Sequence, residues 1–536
     1  MRLRYGFLWV GIFAGSAFSS PITNFQDKCE NLAEIIKLDY KFELNIAKYL
    51  PPNATIDLVA EGLNTTCIGL NGNMTTPVPV GLCRLNLRVE TSPSSEVYME
   101  VWLPENWEGR ILTTGNGGLA GCIQYPELAY GASYGFASFG TNNGHNGTSG
   151  GAFFRQPEVY EDFAWRAVYI GAVVGKSITE QFYGDVCGKS YYIGCSMGGR
   201  QGWKAVQENP ELFDGVIAGA PAIDLWAHVG FFGYALQTLG FNTSSVTLAQ
   251  WEAVRQEVFN QCDGLDGARD GILEDPTACV FNWTPLVCSS TPNNSTCLTP
   301  DQVDAATKLF GPITYNGTFI HPGHGHGYER ELITYEYSPL VLTWIPEVFR
   351  YVVYEDLSWN PTTFTLEDVL HASQKDSSGN RLNTFDGNIS AFRDRGGKVL
   401  HWHGLADQLL VSRTSDLYYN IVRSTLNASV ADLDDFYRYF RASGVGHCYG
   451  GPGANFMGQL GGQVTVDTPE DSMLRRIVQW VEEGDAPEFI RGTKFINDTV
   501  ALGIEFTRRH CKYPKVNRYT GNQEGLDEEG WECVEP

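Results

Sequence analysis

The sequence predicts an α/β architecture, a core sheet of short buried strands interrupted by a large inserted lid. Three observations carry that expectation. Residues 190–207 read as strand, tight turn and helix, with Gly194-Cys195-Ser196-Met197-Gly198 at the turn. Further short apolar runs at 110–113, 216–220, 398–400 and 436–440 each lead into a loop. The 536 residues also exceed one ordinary domain, and composition changes between about Leu225 and Phe392 to clustered Cys, Asn, Thr, Pro and aromatic residues. The expected organisation is residues 1–19 as a signal peptide, 20–224 with 393–536 as the core, and 225–392 as the lid.

At the amino terminus Arg2 and Arg4 supply a positive end, residues 5–13 an apolar stretch and 14–20 small residues, the pattern of a secretory signal. The apolar stretch is too short to span a bilayer. No later segment is long and apolar enough either, so no membrane partner is expected and the mature chain should be secreted and extracellular. Thirteen cysteines fit a disulfide-permitting compartment. Sequons at Asn53, Asn64, Asn73, Asn146, Asn242, Asn316, Asn388, Asn427 and Asn497 fit a glycoprotein. A formal charge of −24 disfavours nucleic acid or an anionic membrane as partner.

The first loop of chemical interest is Thr114-Gly115-Asn116-Gly117-Gly118-Leu119-Ala120-Gly121, after the run at 110–113. Its glycines allow a backbone N–H to approach a developing oxyanion, with Gly117 and Gly118 as the expected donors. The turn at 194–198 matches G-x-S-x-G, in which a serine sits on a strained strand-to-helix turn with its Oγ exposed above the sheet. Ser196 is then the nucleophile, and the amide of Met197 is the other oxyanion donor.

In an α/β-hydrolase core the acid and the histidine follow the serine in that order. Asp407 falls in the loop after the strand at 398–400, and His447 in the loop after 436–440. The expected roles are attack by Ser196, proton transfer by His447, and orientation of the imidazole by Asp407. His401 and His403 compete for the histidine role, but they precede the acid and should pack beside the strand. Cys195 adjoins Ser196 and Cys448 adjoins His447. If bridged, their Cα atoms stand about 4.4–6.8 Å apart, which clamps nucleophile and base together.

Within the lid, Asp263-Gly264-Leu265-Asp266-Gly267-Ala268-Arg269-Asp270-Gly271-Ile272 looks like a calcium loop, three carboxylates in a glycine-bent turn with backbone carbonyls added. It is not an EF-hand, because Leu265, Gly267 and Ala268 occupy that motif's third, fifth and sixth positions. His321-Pro322-Gly323-His324-Gly325-His326 reads as a glycine-rich loop with solvated histidines rather than a transition-metal site. Trp344, Phe349, Tyr351 and Tyr354 read as lid core ahead of substrate-stacking groups. Short-range candidates for pairing are Cys262–Cys279, Cys288–Cys297 and Cys511–Cys533, and the odd count leaves at least one thiol over, with Cys187 the candidate. In 471–481 the periodicity predicts the last core helix.

These residues together resemble the tannase and feruloyl esterase family. The likeness is carried by Gly194 to Gly202, the Asp407 loop and Gly446-His447-Cys448, and continues through 114–124, 135–145, 262–275 and 392–398. It implies the Cys195–Cys448 bridge, a lid, and a lid-bound Ca2+ held by Asp263, Asp266 and Asp270 side chains with Ala268 and Ile272 carbonyls. It also implies Cys29–Cys83 and Cys67–Cys122 pairs, again leaving Cys187 over. Stretches 114–122 and 392–398 are most similar to the fungal feruloyl esterases, which act on phenolic esters of plant cell-wall polysaccharides. The expected activity is therefore feruloyl ester hydrolysis through an acyl-enzyme. Tannase-type galloyl hydrolysis is the alternative, and a non-catalytic phenolic-glycan binder is less in keeping with a full set of Ser, Asp and His.

Overall fold

In this computed structural model, residues 24–68, 74–241, 243–288, 296–379, 382–464, 468–522 and 524–536 are described. The signal peptide and the sequons at Asn73 and Asn242 lie outside those residues. The core is a nine-stranded sheet: β1 (Phe42–Leu50), β2 (Leu82–Ser92), β3 (Ser95–Pro104), β4 (Arg110–Thr114), β5 (Phe136–Thr141), β6 (Lys189–Cys195), β7 (Gly215–Gly219), β8 (Lys398–Gly404) and β9 (Tyr437–Ala442). Their spatial order is β1-β2-β3-β5-β4-β6-β7-β8-β9. The first three strands form an antiparallel meander, and β5 through β9 run parallel. β6 and β7 are buried along nearly all their length because helices cover both faces, as parallel sheets require.

Helices that frame the functional region are α1 (Tyr125–Ser133), α2 (Ala167–Tyr183) and α3 (Met197–Glu208) in the first half of the core. The lid follows β7 with α4 (Leu225–Leu239), α5 (Leu248–Cys262), α6 (Pro339–Glu347) and α7 (Leu366–Ser378). After β8 come α8 (Arg413–Thr425) and α9 (Met473–Glu483). The chain leaves the sheet at Gly219 and returns at Lys398 to the neighbouring strand, with Lys398 opposite Gly215. Nothing of the parallel register is lost across the long insertion. The return to the core begins before β8: Gln207 of α3 donates to the carbonyls of Thr384 and Asp386, and Ile389 and Phe392 pack in one cluster with Trp203.

α9 starts at Met473 rather than at 471, because the Ser472 side chain accepts from the Arg475 amide as N-cap. The lid encloses its own apolar core of Trp226, Phe231, Trp251, Val341, Ile345 and Phe349, continuous with Leu119, Met197 and Leu409 of the core. That packing corrects the reading of the histidine loop. His321 and His324 are buried, at 0% and 5% exposure, and His326 bonds Glu329 and stacks on Phe310. The glycines at 323 and 325 let the loop turn inward beneath the lid rather than out into solvent.

Six disulfides are present: Cys29–Cys83, Cys67–Cys122, Cys195–Cys448, Cys262–Cys279, Cys288–Cys297 and Cys511–Cys533. Cys187 is a buried free thiol, its pKa pushed up to about 12 by burial and by Glu180. That places it outside the range of reactive thiolates. Among the described residues no helix is long and apolar enough to cross a membrane.

Candidate active site

Ser196 joins β6 to α3 with φ 64° and ψ −124°, a left-handed turn that a side-chain-bearing residue adopts only under strain. Small neighbours make the turn possible. A Cβ on Gly194 would stand 2.7 Å from the Gly198 backbone, and one on Gly199 would stand 2.3 Å from the Gly219 carbonyl oxygen. The Ser196 amide donates to that same carbonyl at 2.9 Å, tying the turn to β7.

His447 Nε2 lies 2.9 Å from Ser196 Oγ, and His447 Nδ1 lies 2.7 Å from Asp407 Oδ2. Serine, histidine and carboxylate thus form one continuous hydrogen-bonded line from three separate loops. Asp407 is 1% exposed, and burial alone would favour its neutral form. His447 and His403 beside it more than reverse that tendency and hold the carboxyl well below the usual carboxylate range. The amides of Leu409 and Leu410 donate to Oδ1 at 2.8 and 2.7 Å, which fixes the plane of the group.

The Cys195–Cys448 bridge, with Cα atoms 5.9 Å apart, locks the residue before Ser196 to the residue after His447. Cys448 also has a left-handed backbone, φ 65°. Two strained residues at the reacting centre are therefore joined by one covalent link.

Amides without a partner face Ser196 from two places. Met197 is the first residue of α3, so its N–H has no partner within the helix. In the glycine loop the Gly115 amide is used by Ile193 O and the Asn116 amide by Gln201 Oε1. Gly117 and Gly118 line the cavity over Ser196, and their amides have no acceptor among the described residues. Asn116 braces the loop from beneath by donating to the carbonyls of Cys122 and Thr141, and Gln201 joins it to Asn143. Gln201 lies within the elbow motif, but its role as a brace has no signal in the sequence.

The cavity at Ser196 measures about 330 Å³ and is walled by Glu127 and Leu460 from the core, Tyr335, Leu340 and Trp344 from the lid, and Tyr449 beside the disulfide. Trp344 packs over Gly118, where a Cβ would stand 2.8 Å from the indole. Phe349 is buried in the lid core, whereas Tyr351 faces a separate cavity with Phe153, Tyr160 and Trp226 that does not include Ser196. Of the four lid aromatics named from the sequence, Trp344 alone borders the serine. Glu127 carried no signal in the sequence that would have marked it.

A family model described as "Tannase and feruloyl esterase" matches residues 83–534. The chain belongs to the tannase and feruloyl esterase family. It is 42% identical over 519 residues to a probable feruloyl esterase B-1 of Aspergillus oryzae, covering 96% of this chain and 94% of that one. It is 41% identical over 538 residues to feruloyl esterase C of Talaromyces stipitatus, covering 98% of each. Among solved structures, feruloyl esterase B from Aspergillus oryzae superposes with a TM-score of 0.90 at 41% identity, over 95% of this chain and 100% of that one.

In this family member the acidic lid loop is folded tightly on itself. Asp263 accepts from the Gly271 amide, Asp266 from the amides of Ala268 and Glu274, and Asp270 from the Ile272 amide. Arg508 binds both Asp270 and Glu274 at 2.7 Å. Among the described residues, no group of three or more His, Cys, Asp or Glu side chains closes on a common point as a metal cluster would.

Proposed function

We propose that the protein is a secreted serine esterase that hydrolyses feruloyl esters of plant cell-wall polysaccharides. The unbroken line Ser196–His447–Asp407 carries this reading. Ser196 Oγ attacks the acyl carbon while His447 Nε2 takes its proton, and Asp407 stabilises the imidazolium that forms. The amides of Met197, Gly117 and Gly118 receive the oxyanion. His447 then returns the proton to the departing sugar oxygen, leaving feruloyl-Ser196. Water, deprotonated by His447, attacks that ester, and collapse of the second tetrahedral intermediate releases ferulate and restores Ser196. The apolar walls around Trp344, Leu340 and Leu409 suit a planar aromatic acyl group, and the feruloyl esterase names of the relatives support the same substrate. Six disulfides support an oxidising, extracellular setting.

Hydrolysis of methyl ferulate and methyl gallate by the purified protein, with Ser196→Ala alongside, tests the reading. Ferulate release that falls by about 10⁴-fold or more in the variant is expected, as for loss of a nucleophile that acts with its base as a unit. Undiminished turnover by Ser196→Ala would remove the mechanism, and preference for gallate would replace the substrate.

The acidic lid loop is further proposed to hold Ca2+, through the carboxylates of Asp263, Asp266 and Asp270 and the carbonyls of Ala268 and Ile272. What supports this is the donor chemistry. Asp270 and Glu274 share one buried guanidinium, Arg508, while Asp263 and Asp266 lie in the same loop, and hard oxygen donors in negative excess favour a divalent cation. The ion would fasten the lid loop and take no part in acyl transfer. Chelation is expected to lower Tm by several degrees, restored by added Ca2+. An unchanged Tm with no calcium in the purified protein by elemental analysis would rule the ion out.

A further inference from the structure

Behind Asp407 lies a second line of polar groups that the triad does not use. His403 Nε2 stands 3.2 Å from Asp407 Oδ2 and 3.2 Å from the Leu410 carbonyl oxygen. Both are acceptors, so this nitrogen carries a proton. His403 Nδ1 stands 2.7 Å from Ser415 Oγ, and Ser415 Oγ stands 2.9 Å from His401 Nε2. His401 Nδ1 in turn stands 2.9 Å from the Tyr437 hydroxyl.

Each group is fully buried, at 0% exposure. Burial, reinforced by His403, drives His401 far towards its neutral form, and burial likewise keeps the Tyr437 hydroxyl protonated. With His403 Nε2–H donating to Asp407, one proton on each hydroxyl and one on the His401 ring allow a continuous line of donors. Tyr437 O–H donates to His401, His401 Nε2–H donates to Ser415, Ser415 O–H donates to His403, and His403 Nε2–H donates to Asp407. The line crosses three elements: His401 and His403 lie two apart on β8, Ser415 on α8 and Tyr437 on β9. Trp203 and Tyr439 pack against the His401 ring and hold its plane.

We propose that His403 is a positioning residue for the triad, oriented by the chain Tyr437–His401–Ser415 so that its N–H holds Asp407 in the rotamer that aligns His447. The proposal rests on the esterase reading of Ser196. A buried ring held in a fixed plane supplies a donor to the same carboxylate oxygen that His447 engages. A carboxylate clasped by two backbone amides on one oxygen and two imidazoles on the other has no freedom to rotate away. Other titratable groups face this centre from the lid. His228 is pushed down to about 3 by burial and by His403, and burial also pushes His321 and His324 down, towards their neutral forms. On α8, Asp416 is engaged by Tyr439 and Arg441, and Arg413 acts on His321.

The test measures kcat and KM for methyl ferulate against pH in His403→Leu, His403→Gln and Ser415→Ala. His403→Leu is expected to lower kcat about tenfold or more, which is about 1.4 kcal/mol of barrier, with KM changed less than about twofold. The acidic limb of kcat/KM should move to higher pH. Without the His403 donor, the charge on Asp407 Oδ2 is shared less and pulls harder on the imidazolium of His447. A glutamine amide supplies a donor again, so His403→Gln should recover kcat to within about threefold of the parent. Ser415→Ala, which removes one hydroxyl from the core, should show the same limb movement with a smaller loss, and decides the matter if His403→Leu does not fold. Equal losses in the leucine and glutamine variants with an unmoved pH profile would mean a packing role alone and overturn the proposal. Turnover surviving in Ser196→Ala would instead overturn the esterase site itself. Loss in Ser196→Ala with parental kinetics in His403→Leu and Ser415→Ala would sink only the relay.

Discussion

Glu127 sits in the wall of the catalytic cavity, 8% exposed, with its Oε2 buried and without a partner among the described residues. Burial pushes its pKa up from 4.5 to about 7, against opposing hydrogen bonds from its own amide and that of Gly461. The sign of its effect on stability follows from proton counting. Between these two values the folded chain binds a proton that the unfolded chain has released, so stability falls as pH rises through that window. The shift corresponds to about 3 kcal/mol, an order of magnitude for a buried group. Glu127→Gln removes the charge at nearly constant volume. It is expected to stabilise the protein by an amount of that order at about pH 8 and by very little at about pH 4, read from urea denaturation midpoints. The same gain at both pH values would show that the carboxyl is not held in its acid form. A neutral acid in the pocket wall also keeps uncompensated charge away from an incoming ester.

β8 shows how much of the site an element encodes. Its residues alternate faces, so His401 and His403 point to the α8 side while Leu400 and Trp402 pack with Ile477 and Trp480 of α9. Strand, loop and Asp407 were legible in the sequence because alternation and turn chemistry are local. The elbow was legible for the same reason, since Gly194 and Gly199 mark a turn with no room for a Cβ and Gly198 sits tightly against the glycine loop. The hydrogen bond from His403 to Asp407 was not legible: it depends on Ser415 and Tyr437, brought to β8 by α8 and by a parallel neighbour. The antiparallel meander of β1 to β3 had no early marker, because its register is fixed by partners across the sheet. The histidine loop misled for a related reason. Glycine and proline spacing announced a turn there, but only lid packing decides which way a turn faces.

Across the whole molecule, lid and core share one apolar interior. Leu119, next to Gly118, and Met197, whose own amide is proposed to receive the oxyanion, belong to the same cluster as Trp251 and Ile345. Disruption of the lid core is therefore transmitted to the donors directly, through side chains in contact. The lid is thus part of the catalytic architecture as well as its roof.

The bridge between Cys195 and Cys448 spans 253 positions of sequence, and all of 225–392 lies inside the ring it closes. A protease that nicks the lid backbone once produces two polypeptides, one bearing the nucleophile and the other bearing the acid and the base. They cannot diffuse apart. On a gel, the nicked protein should run as one species until reductant is added and as two afterwards, and fragments separating without reductant would contradict the ring. An interrupted backbone would thus leave the reacting groups on a single molecule.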